Sequence, residues 1–447
     1  MLSPIVILGA GLTGLSAAYH LEQAGQTGYL VVEAEDRVGG LARTEHADGF
    51  SFDHSIHILY TRHDYVATLV HDLLGENVSH QTRHSFCHTA GCYTEYPYQA
   101  HNYGLPPEVI ADNILGLIRA LDTRRGAHPA HYEEWIVRTF GAGIASNFML
   151  PYNRKQWAWD LTDMSFGWIA DRVPVPDVRE VLLGALRPPK AGVGPNQDFW
   201  YPKSSGIEAL PKSLAARLPA NRVRLSSRVA SIDTRRREVV MASGERIAYA
   251  AVISTLPLRR FIPMLGDGVP RDVHDAARGL KHNVVHTVNI GLTGTDFRHP
   301  NVMHWVYYPG ETTVFHRLSF PHRFSASMVP QGCASVQAEI SESPHKPINR
   351  ATLIDDTLAG LVRVGLLDEQ DIRPVAQRGR VAVAQVITLD PAYVIYDHHH
   401  ASHVQTMKHY LGTLDMQTCG RFGDWEYLNM DESVLAGKRA ADALLPD

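Results

Sequence analysis

The chain has 447 residues, of which 45% are hydrophobic and 20% charged, and its formal net charge is −5. This balance is typical of a globular protein with a large core, with room for two or three domains. The mild charge argues against a nucleic-acid partner. No apolar stretch approaches the roughly 18 residues that span a membrane. A strand opens the chain in place of a secretory signal, and the four cysteines show no CxxC spacing, so we expect a cytoplasmic protein.

The first part of the chain carries a dinucleotide-binding pattern. An apolar run, Ile5–Leu8, leads into a GxGxxG motif formed by Gly9, Gly11 and Gly14, and a second apolar run ends at Glu33. The three glycines allow a tight turn, a close approach of backbone to a pyrophosphate, and close packing of the following helix on the sheet. The N-terminus of that helix directs free N–H groups at the phosphates. Glu33 follows at the distance from which a carboxylate reaches a ribose.

A second glycine pair follows this acid. Arg37, Gly39 and Gly40 extend the pattern in a way that favours FAD over NAD. The alternative, a plain strand–helix turn, does not explain the acid at this spacing. We therefore predict FAD as the cofactor. The residues predicted to bind it from this region are Gly9, Gly11, Leu12, Thr13, Gly14, Glu33, Ala34, Arg37, Gly39, Gly40, Leu41 and Ala42.

The remaining patterns predict an α/β protein whose FAD-binding Rossmann-like domain is discontinuous. We assign residues 1–80, 205–260 and 405–447 to that domain. Apolar residues at helical spacing predict a mainly helical substrate insertion over 81–204. Alternating apolar and polar residues predict an antiparallel-sheet substrate domain over 261–404. The histidine run at 398–400 lacks a cysteine or carboxylate cluster at ligand spacing, so no metal site is predicted there.

Three further blocks carry a resemblance to a known family. Residues 148–173 contain Pro-Tyr-Asn-x-Lys-x-Trp followed by Trp-x-x-x-Arg-Val, residues 305–317 run from Trp-x-Tyr-x-Pro to an arginine, and residues 420–431 read Gly-Arg-Phe-Gly to Tyr-Leu-Asn-Met-Asp. Together with the N-terminal motif, they resemble the UDP-galactopyranose mutases. These are flavoenzymes that interconvert the pyranose and furanose forms of a nucleotide-linked sugar. The resemblance is densest in these blocks and in the N-terminus.

This resemblance implies an isomerase, in cell-surface polysaccharide biosynthesis, that uses its flavin as a nucleophile. N5 of the reduced flavin would form an adduct with the sugar while the nucleoside diphosphate leaves, and the diphosphate would return after the ring recloses. The implied partners are a nucleotide-diphosphate sugar and NAD(P)H or another reductant that keeps the flavin reduced. The identity of the nucleotide and of the sugar is left open.

A sugar diphosphate is anionic, and the planar guanidinium fork suits its oxygens. The resemblance implies that Arg172 and Arg317 clamp the diphosphate, although each would alternatively make a structural ion pair. Tyrosine hydroxyls can donate to phosphate without adding charge, whereas a buried tyrosine can simply be a core aromatic. The residues that the resemblance implies in substrate binding are Tyr96, Gln99, Asn153, Trp157, Tyr307, Tyr393 and Tyr427.

A second group of flavin contacts is implied near the C-terminus. The final helix would place its N-terminal N–H groups near N1 of a reduced flavin, where negative charge collects. Val229 matches a position whose backbone amide reads adenine, although it is otherwise an ordinary strand residue. The further residues implied to bind FAD are Val229, Gly420, Arg421, Asn429, Met430 and Ser433.

One segment departs from the resemblance. The mutases carry Gly-Gly-His where this chain has Ser55, Ile56 and His57. A β-branched residue disfavours a positive φ and stiffens the backbone. We therefore expect no redox-linked flip of this peptide. His57 is predicted to contact the flavin near N5 as a catalytic residue, and the alternative is a histidine buried between domains.

Two other functions compete with the mutase. A flavin oxidase or desaturase of the amine-oxidase/protoporphyrinogen-oxidase type shares the flavin domain, but we expect it to have a more apolar pocket without two arginines. A catalytically inactive flavoprotein that binds nucleotide sugar is favoured by the loss of the glycines at residues 55 and 56. A requirement for reductant without net oxidation of the substrate would separate the mutase from both.

Overall fold

The structure is a computed structural model that describes residues 3–123, 128–169, 173, 175–188, 197–295, 297 and 303–445. In chain order its strands are β1 (Ile5–Leu8), β2 (Tyr29–Val32), β3 (Thr44–Ala47), β4 (Phe50–Asp53), β5 (Val78–Thr82), β6 (Ser85–Thr89), β7 (Cys92–Glu95), β8 (Asp198–Pro202), β9 (Val223–Arg224), β10 (Val229–Asp233), β11 (Glu238–Met241), β12 (Arg246–Ala248), β13 (Ala251–Ser254), β14 (Lys281–His282), β15 (Val284–Thr293), β16 (Trp305–Tyr307), β17 (Arg317–Ser319), β18 (Cys333–Glu342), β19 (Val381–Leu389), β20 (Val394–Ile395) and β21 (Met416–Thr418).

The helices are α1 (Leu12–Gln23), α2 (Asp64–Leu74), α3 (Pro107–Thr123), α4 (Tyr132–Ile144), α5 (Leu150–Trp157), α6 (Val178–Leu186), α7 (Ala209–Ala215), α8 (Leu258–Phe261), α9 (Arg271–Gly279), α10 (Pro321–Phe324), α11 (Leu353–Arg363), α12 (His400–Gly412), α13 (Gly420–Gly423) and α14 (Met430–Asp442). No helix in the described part of the chain is long and apolar enough to cross a bilayer.

A parallel sheet in the order β21-β13-β1-β2-β9 forms the base of the nucleotide-binding part. All four residues of β1 are buried, as expected for a parallel strand covered on both faces. On one face, Ile5 and Ile7 pack with residues of α1 and α14. On the other face, Val6 and Leu8 pack with residues of α8, α9 and α12. The strands therefore come from three separate parts of the chain.

A second sheet runs in the order β19-β15-β18-β17-β16-β6-β7 among the described residues. Its neighbours are antiparallel except for β6 and β16, which are parallel. The sheet is therefore mixed, and it includes a hairpin from the segment predicted to be mainly helical. That hairpin turns at Ala90 and Gly91, whose φ values of 50° and 72° are typical of a type I′ turn. This short turn signal was overlooked in the sequence.

The helical part of 81–204 packs against the second sheet through one hydrophobic cluster. The cluster contains Phe140, Phe148 and Trp157 from this segment. It also contains Leu389 and Tyr393, which are distant in sequence. Tyr307 and Tyr427 pack against this cluster from outside. The junction of helices, second sheet and C-terminal segment is thus lined with aromatic residues. The exact domain boundaries stay a prediction.

Candidate flavin and substrate site

The glycine-rich turn and its neighbours form a backbone surface that we call the cofactor cradle: residues 9–14, 39–40 and 420, with the start of α14. Gly9 has a φ of +101°, and an added Cβ at Gly14 would lie 2.0 Å from the Gly9 carbonyl oxygen. Gly11 is the N-cap of α1 and offers no side chain to the first N–H groups of the helix. A Cβ at Gly40 would lie 3.1 Å from the Cα of Gly11. The cradle therefore fits a pyrophosphate. Its glycines leave room for the phosphates to approach the backbone N–H groups of the turn.

The acid at the end of β2 braces this turn. Glu33 accepts hydrogen bonds from the backbone N–H of Ala10 at 2.7 Å and of Glu35 at 3.0 Å. A carboxylate accepts about four hydrogen bonds, so both bonds leave capacity for a ribose. Ala34 lies between these contacts along the chain. Within the cradle, the Gly39 N–H donates to the Ala10 carbonyl at 2.9 Å.

Two residues predicted to bind FAD have hydrogen-bond partners within the protein. Arg37 pairs with Glu45 and donates to the Thr44 carbonyl at 3.3 Å, so its guanidinium is taken up by protein groups. Ser433 donates its hydroxyl to the Asn429 carbonyl at 2.8 Å, within the first turn of α14. A short hydroxyl in a helix commonly bonds back to the preceding turn. The contact of these two side chains with FAD stays a prediction.

The starts of α13 and α14 both lie near the start of α1. An added Cβ at Gly420 would lie 2.4 Å from Thr13 Oγ1. The N–H of Asn429 donates to Glu432 at 2.9 Å, which closes a capping box on α14. Met430 packs in one hydrophobic cluster with the buried residues Leu12 and Ala42, and Leu41 precedes Ala42. Val229 begins β10 and packs against the core of the nucleotide-binding sheet.

Beyond the cradle, five tyrosines form what we call the tyrosine cluster: Tyr96, Tyr152, Tyr307, Tyr393 and Tyr427. The rings of Tyr96 and Tyr307 are 5.0 Å apart, Tyr152 is 5.2 Å from Tyr307, and Tyr393 is 5.6 Å from Tyr427. Burial raises the pKa of Tyr96 and of Tyr393. Both phenols therefore stay protonated at neutral pH and remain hydrogen-bond donors. Four of the five were predicted, and these four do converge.

Trp157 backs this cluster, with its ring 5.5 Å from that of Tyr393. Its indole Nε1 donates to Asn153 Oδ1 at 3.1 Å, and Tyr132 donates to the same oxygen at 2.8 Å. The Asn153 amide nitrogen donates to the Met149 carbonyl at 2.7 Å. The Asn153 side chain thus has partners within the protein and orients Trp157, and its contact with the substrate stays a prediction. Gln99 is buried, with 3% exposure.

Arg317 reaches the tyrosine cluster as one half of a buried ion pair. Glu339 Oε2 accepts from Arg317 Nε at 2.9 Å and from Nη2 at 2.5 Å. The side chain of Glu339 is 1% exposed and that of Arg317 is 15% exposed. Burial by itself would raise the pKa of Glu339, but Arg317 and His316 hold it well below its usual range. The alternative of an ion pair is therefore realised for Arg317. Arg172 lies outside the described residues, so the predicted clamp stays a prediction.

Two more arginines contact the same tyrosines. The guanidinium of Arg421 lies 4.8 Å from the ring centre of Tyr427 and 5.4 Å from that of Tyr393. It also donates to the Ala392 carbonyl at 3.0 Å and to the Leu428 carbonyl at 2.9 Å. Arg421 thereby holds the Tyr393 and Tyr427 segments together, and its contact with the flavin stays a prediction.

Arg83 was missed in the sequence analysis. It is buried, and its guanidinium lies 4.9 Å from the ring centre of Tyr96. Tyr152 and Glu339 were missed as well, although Tyr152 belongs to the Pro-Tyr-Asn block that carried the resemblance. A single buried arginine amid aromatic residues has no local sequence signal. Only the pairing of β6 with β16 brings Arg83 close to Tyr307.

His57 lies where the cradle meets the tyrosine cluster. Its Nδ1–H donates to the Ser55 carbonyl at 2.9 Å, which leaves Nε2 as an acceptor. Burial lowers the pKa of His57 to about 4, and His54 and Arg421 act in the same direction. The ring is therefore neutral at physiological pH. Neither Ser55 nor Ile56 has a positive φ, as expected for a serine and a β-branched residue.

Comparison with protein families places the chain in a known class. Residues 12–332 match the model of the flavin-containing amine oxidoreductases. The chain therefore belongs to this family of flavin enzymes. This finding confirms the predicted FAD cofactor and the predicted superfamily.

Solved structures show which flavin enzymes the chain resembles. A reduced UDP-galactopyranose mutase is 28% identical, with a TM-score of 0.93 over 99% of this chain and 94% of that chain. A proposed protoporphyrinogen oxidase of Exiguobacterium sp. 255-15 is 17% identical, with a TM-score of 0.74 over 99% of both chains. Wild-type putrescine oxidase bound to putrescine is 17% identical, with a TM-score of 0.65 over 99% of this chain and 98% of that one. The two oxidases show the fold alone, and the predicted α/β fold and mutase-like resemblance are confirmed.

One curated relative matches a short stretch. An uncharacterized protein in the nifH2 3′ region of Methanothermococcus thermolithotrophicus is 42% identical over 60 residues. The aligned stretch covers 13% of this chain and 57% of that protein. It carries no information on activity.

Proposed function

We propose that the protein is an FAD-dependent mutase that interconverts the pyranose and furanose forms of a nucleotide-diphosphate sugar. The observation that carries the proposal is the tyrosine cluster with Arg317 and Arg83 among its rings. Neutral phenols and guanidinium groups suit a phosphate-bearing ligand. The likeness to a reduced UDP-galactopyranose mutase over nearly the whole chain supports it further.

The protein's part in this reaction is to bind, orient and shield. A reduced flavin supplies the nucleophile when it is bound. Tyr307 and Arg317 would contact the diphosphate, and Tyr393 and Tyr427 would donate to its oxygens as it leaves and returns. Trp157, which is oriented by Asn153, would line the part of the site that holds the sugar. Fixed donors of this kind stabilise a departing anion because they need no reorganisation during the reaction.

His57 has a positioning role in this scheme. With its pKa lowered to about 4 and its Nδ1 proton held on the Ser55 carbonyl, the ring presents a neutral acceptor at Nε2. It therefore adds no positive charge beside the flavin at neutral pH. The scheme needs no general acid or base from this residue.

The direct test uses the dithionite-reduced holoenzyme, with NADPH as a second reductant. It is incubated with UDP-, dTDP-, GDP- and CDP-hexoses, and ring-contracted isomers are sought by NMR. We expect one nucleotide sugar to isomerise without net oxidation. Oxygen consumption with peroxide release would instead identify an oxidase. Binding of nucleotide sugar without turnover in the reduced state would identify an inactive binding protein.

The matched variants are Arg317→Lys and Arg350→Lys. Both arginines pair with a glutamate of β18, but Arg350 and its partner Glu342 are more exposed. Loss of a charge-assisted hydrogen bond costs about 1.5–3 kcal/mol, which is a roughly 10- to 100-fold fall in kcat/KM. We expect that fall for Arg317→Lys and less than a twofold change for Arg350→Lys. Equal effects of the two variants would exclude Arg317 from the site.

A further inference from the structure

The segment that replaces the two glycines is bonded to the protein at successive positions. The His54 N–H donates to the Arg43 carbonyl at 3.0 Å, and the His54 carbonyl accepts from Thr287 Oγ1 at 2.9 Å. Ser55 Oγ donates to Glu339 Oε1 at 2.6 Å, and the Ile56 N–H donates to the same oxygen at 3.2 Å. Ser55 and Ile56 therefore both donate a hydrogen bond to one buried carboxylate.

That carboxylate is the partner of Arg317. Oε1 of Glu339 accepts hydrogen bonds from Ser55 and Ile56, and Oε2 accepts hydrogen bonds from the guanidinium of Arg317. Glu339 lies in the middle of β18, opposite Arg317 in the register of the second sheet. The rigid strand thus fixes the position of the carboxylate between two segments that are far apart in the chain.

The same segment borders the cofactor cradle. Ile56 and Ile58 pack in the hydrophobic cluster that contains Leu12, Ala42 and Met430, and Tyr307 packs against that cluster too. A change in the Ser55–Ile56 peptide would therefore be felt at the cradle and at the tyrosine cluster. Rotation of the peptide would take the Ile56 N–H away from a charged acceptor whose side chain is 1% exposed.

We infer that Glu339 is a positioning residue that holds the Ser55–Ile56 peptide and the Arg317 guanidinium together, so that this peptide keeps one conformation in the oxidised and in the reduced holoenzyme. The part of this inference that concerns the peptide requires only that the protein binds FAD. The consequence for substrate binding through Arg317 rests on the proposed function.

The first test is residue-resolved hydrogen exchange of the Ile56 amide in oxidised and dithionite-reduced holoenzyme. We expect the two wild-type rates to agree within twofold. Ser55→Ala removes one bond to Glu339 and is expected to speed exchange of this amide at least tenfold in both states. A tenfold change on reduction of the wild type, or no effect of Ser55→Ala, overturns the inference.

The second test is a double-mutant cycle on the midpoint potential of the bound flavin. If Ser55 acts only through Glu339, the Ser55→Ala/Glu339→Gln double variant has the potential of Glu339→Gln alone. The control cycle pairs Ser55→Ala with Glu342→Gln, three positions along β18, and should be additive. We expect each single change in the first pair to alter the ratio of affinities for reduced and oxidised flavin about three- to tenfold, and tenfold is about 30 mV for a two-electron couple.

Additive shifts in the first cycle would contradict a shared action through Glu339. If Glu339→Gln does not fold, the exchange of Ile56 in Ser55→Ala still decides the matter, because that variant alters one hydroxyl. Both readouts need only bound FAD. A failed isomerase assay with unchanged exchange and coupling therefore rejects the proposed function alone, whereas the reverse pattern rejects this inference alone.

Discussion

The cofactor cradle and the tyrosine cluster are adjacent, but they are built in different ways. The cradle is a backbone surface, in which Gly14 and Gly40 leave no space for a side chain. The cluster is a side-chain surface, in which the Arg317–Glu339 pair is buried among phenol rings. Substitutions in the cradle are therefore limited by sterics, whereas substitutions in the cluster are limited by electrostatics.

The two regions also differ in how their parts are brought together. The cradle joins the two ends of the nucleotide-binding part, where α1 and α14 pack closely enough that a Cβ at Gly437 would lie 2.2 Å from the Thr13 carbonyl oxygen. The cluster joins the helical segment, the second sheet and the C-terminal segment. A ligand held across both regions would therefore bridge elements that Glu339, Arg421 and the aromatic contacts also connect.

The largest effect is expected from breaking the ion pair of the cluster. Arg317→Ala leaves Glu339 buried without its cation, and removal of one partner of such a pair costs about 3–5 kcal/mol of unfolding free energy. Urea unfolding of the holoenzyme measures it. Arg317→Met combined with Glu339→Gln removes both charges and should lose less than the single variant. A loss near 0–1 kcal/mol for Arg317→Ala would be that of an exposed pair and would contradict the burial.

The next largest effect is on the pH dependence of stability at the junction of the two regions. His57 has a folded pKa of about 4, below its ordinary 6.5, so between these values only the unfolded chain binds the proton. The free energy of unfolding should therefore fall as pH drops from 6.5 to 4, by up to about 3 kcal/mol from this group. His304 and His322, also with pKa values of about 4, add to the fall.

The measurement is urea unfolding at pH 7, 5.5 and 4.5. His57→Asn should reduce the fall, whereas the exposed His409→Asn should leave it unchanged. If both variants follow the wild-type curve, the ring of His57 is not shielded from protonation.

Gly14→Ala tests the steric limit of the cradle. The new methyl would meet the Gly9 carbonyl oxygen at 2.0 Å, so α1 must shift, at a cost of about 1–3 kcal/mol. We expect the purified variant to lose its flavin absorbance. Gly412→Ala is the control, because its Cβ would have no neighbour within 4 Å. Full retention of FAD in Gly14→Ala would show that the cradle is looser than the structure describes.

The smallest effect separates scaffold from ligand contact within the cluster. Asn153→Ala removes the acceptor of Tyr132 and Trp157 and should cost about 1–3 kcal/mol of stability, measured by thermal or urea unfolding. Tyr132→Phe removes one donor only and should cost less. Titration calorimetry with the nucleotide that binds best should show less than a threefold change in affinity for Asn153→Ala. A larger loss of affinity without loss of stability would show that Asn153 contacts the substrate.

The two regions were not equally predictable from the sequence. The cradle depends on glycines and an acid at short, fixed spacing, so local steric rules were enough to predict its turn and its helix. The convergence of Tyr96, Tyr307, Tyr393 and Tyr427 came from the family resemblance, because no local pattern relates residues so far apart. The family and its flavin followed from the same motifs.

The tertiary partners that the sequence did not predict have physical explanations. Glu339 sits in an alternating strand whose pattern gives only its face, and its partner Ser55 is 284 positions away. Asn153 belongs to a motif with a polar appearance, but its amide serves Tyr132 and Trp157. Arg37 follows the glycine-rich pattern, yet nearby Glu45 takes its charge. In each case a tertiary partner decides the role, and the sequence does not name that partner.

The hairpin of β6 and β7 has a consequence for the position of Tyr96. Because β6 pairs with β16 along three residues, Tyr96, at the end of the hairpin, is fastened to the same sheet as Tyr307 and Arg317. These three residues therefore depend on one set of strand pairings. A one-residue slip in the pairing of β6 with β16 would therefore change the position of Tyr96 relative to Tyr307 and Arg317.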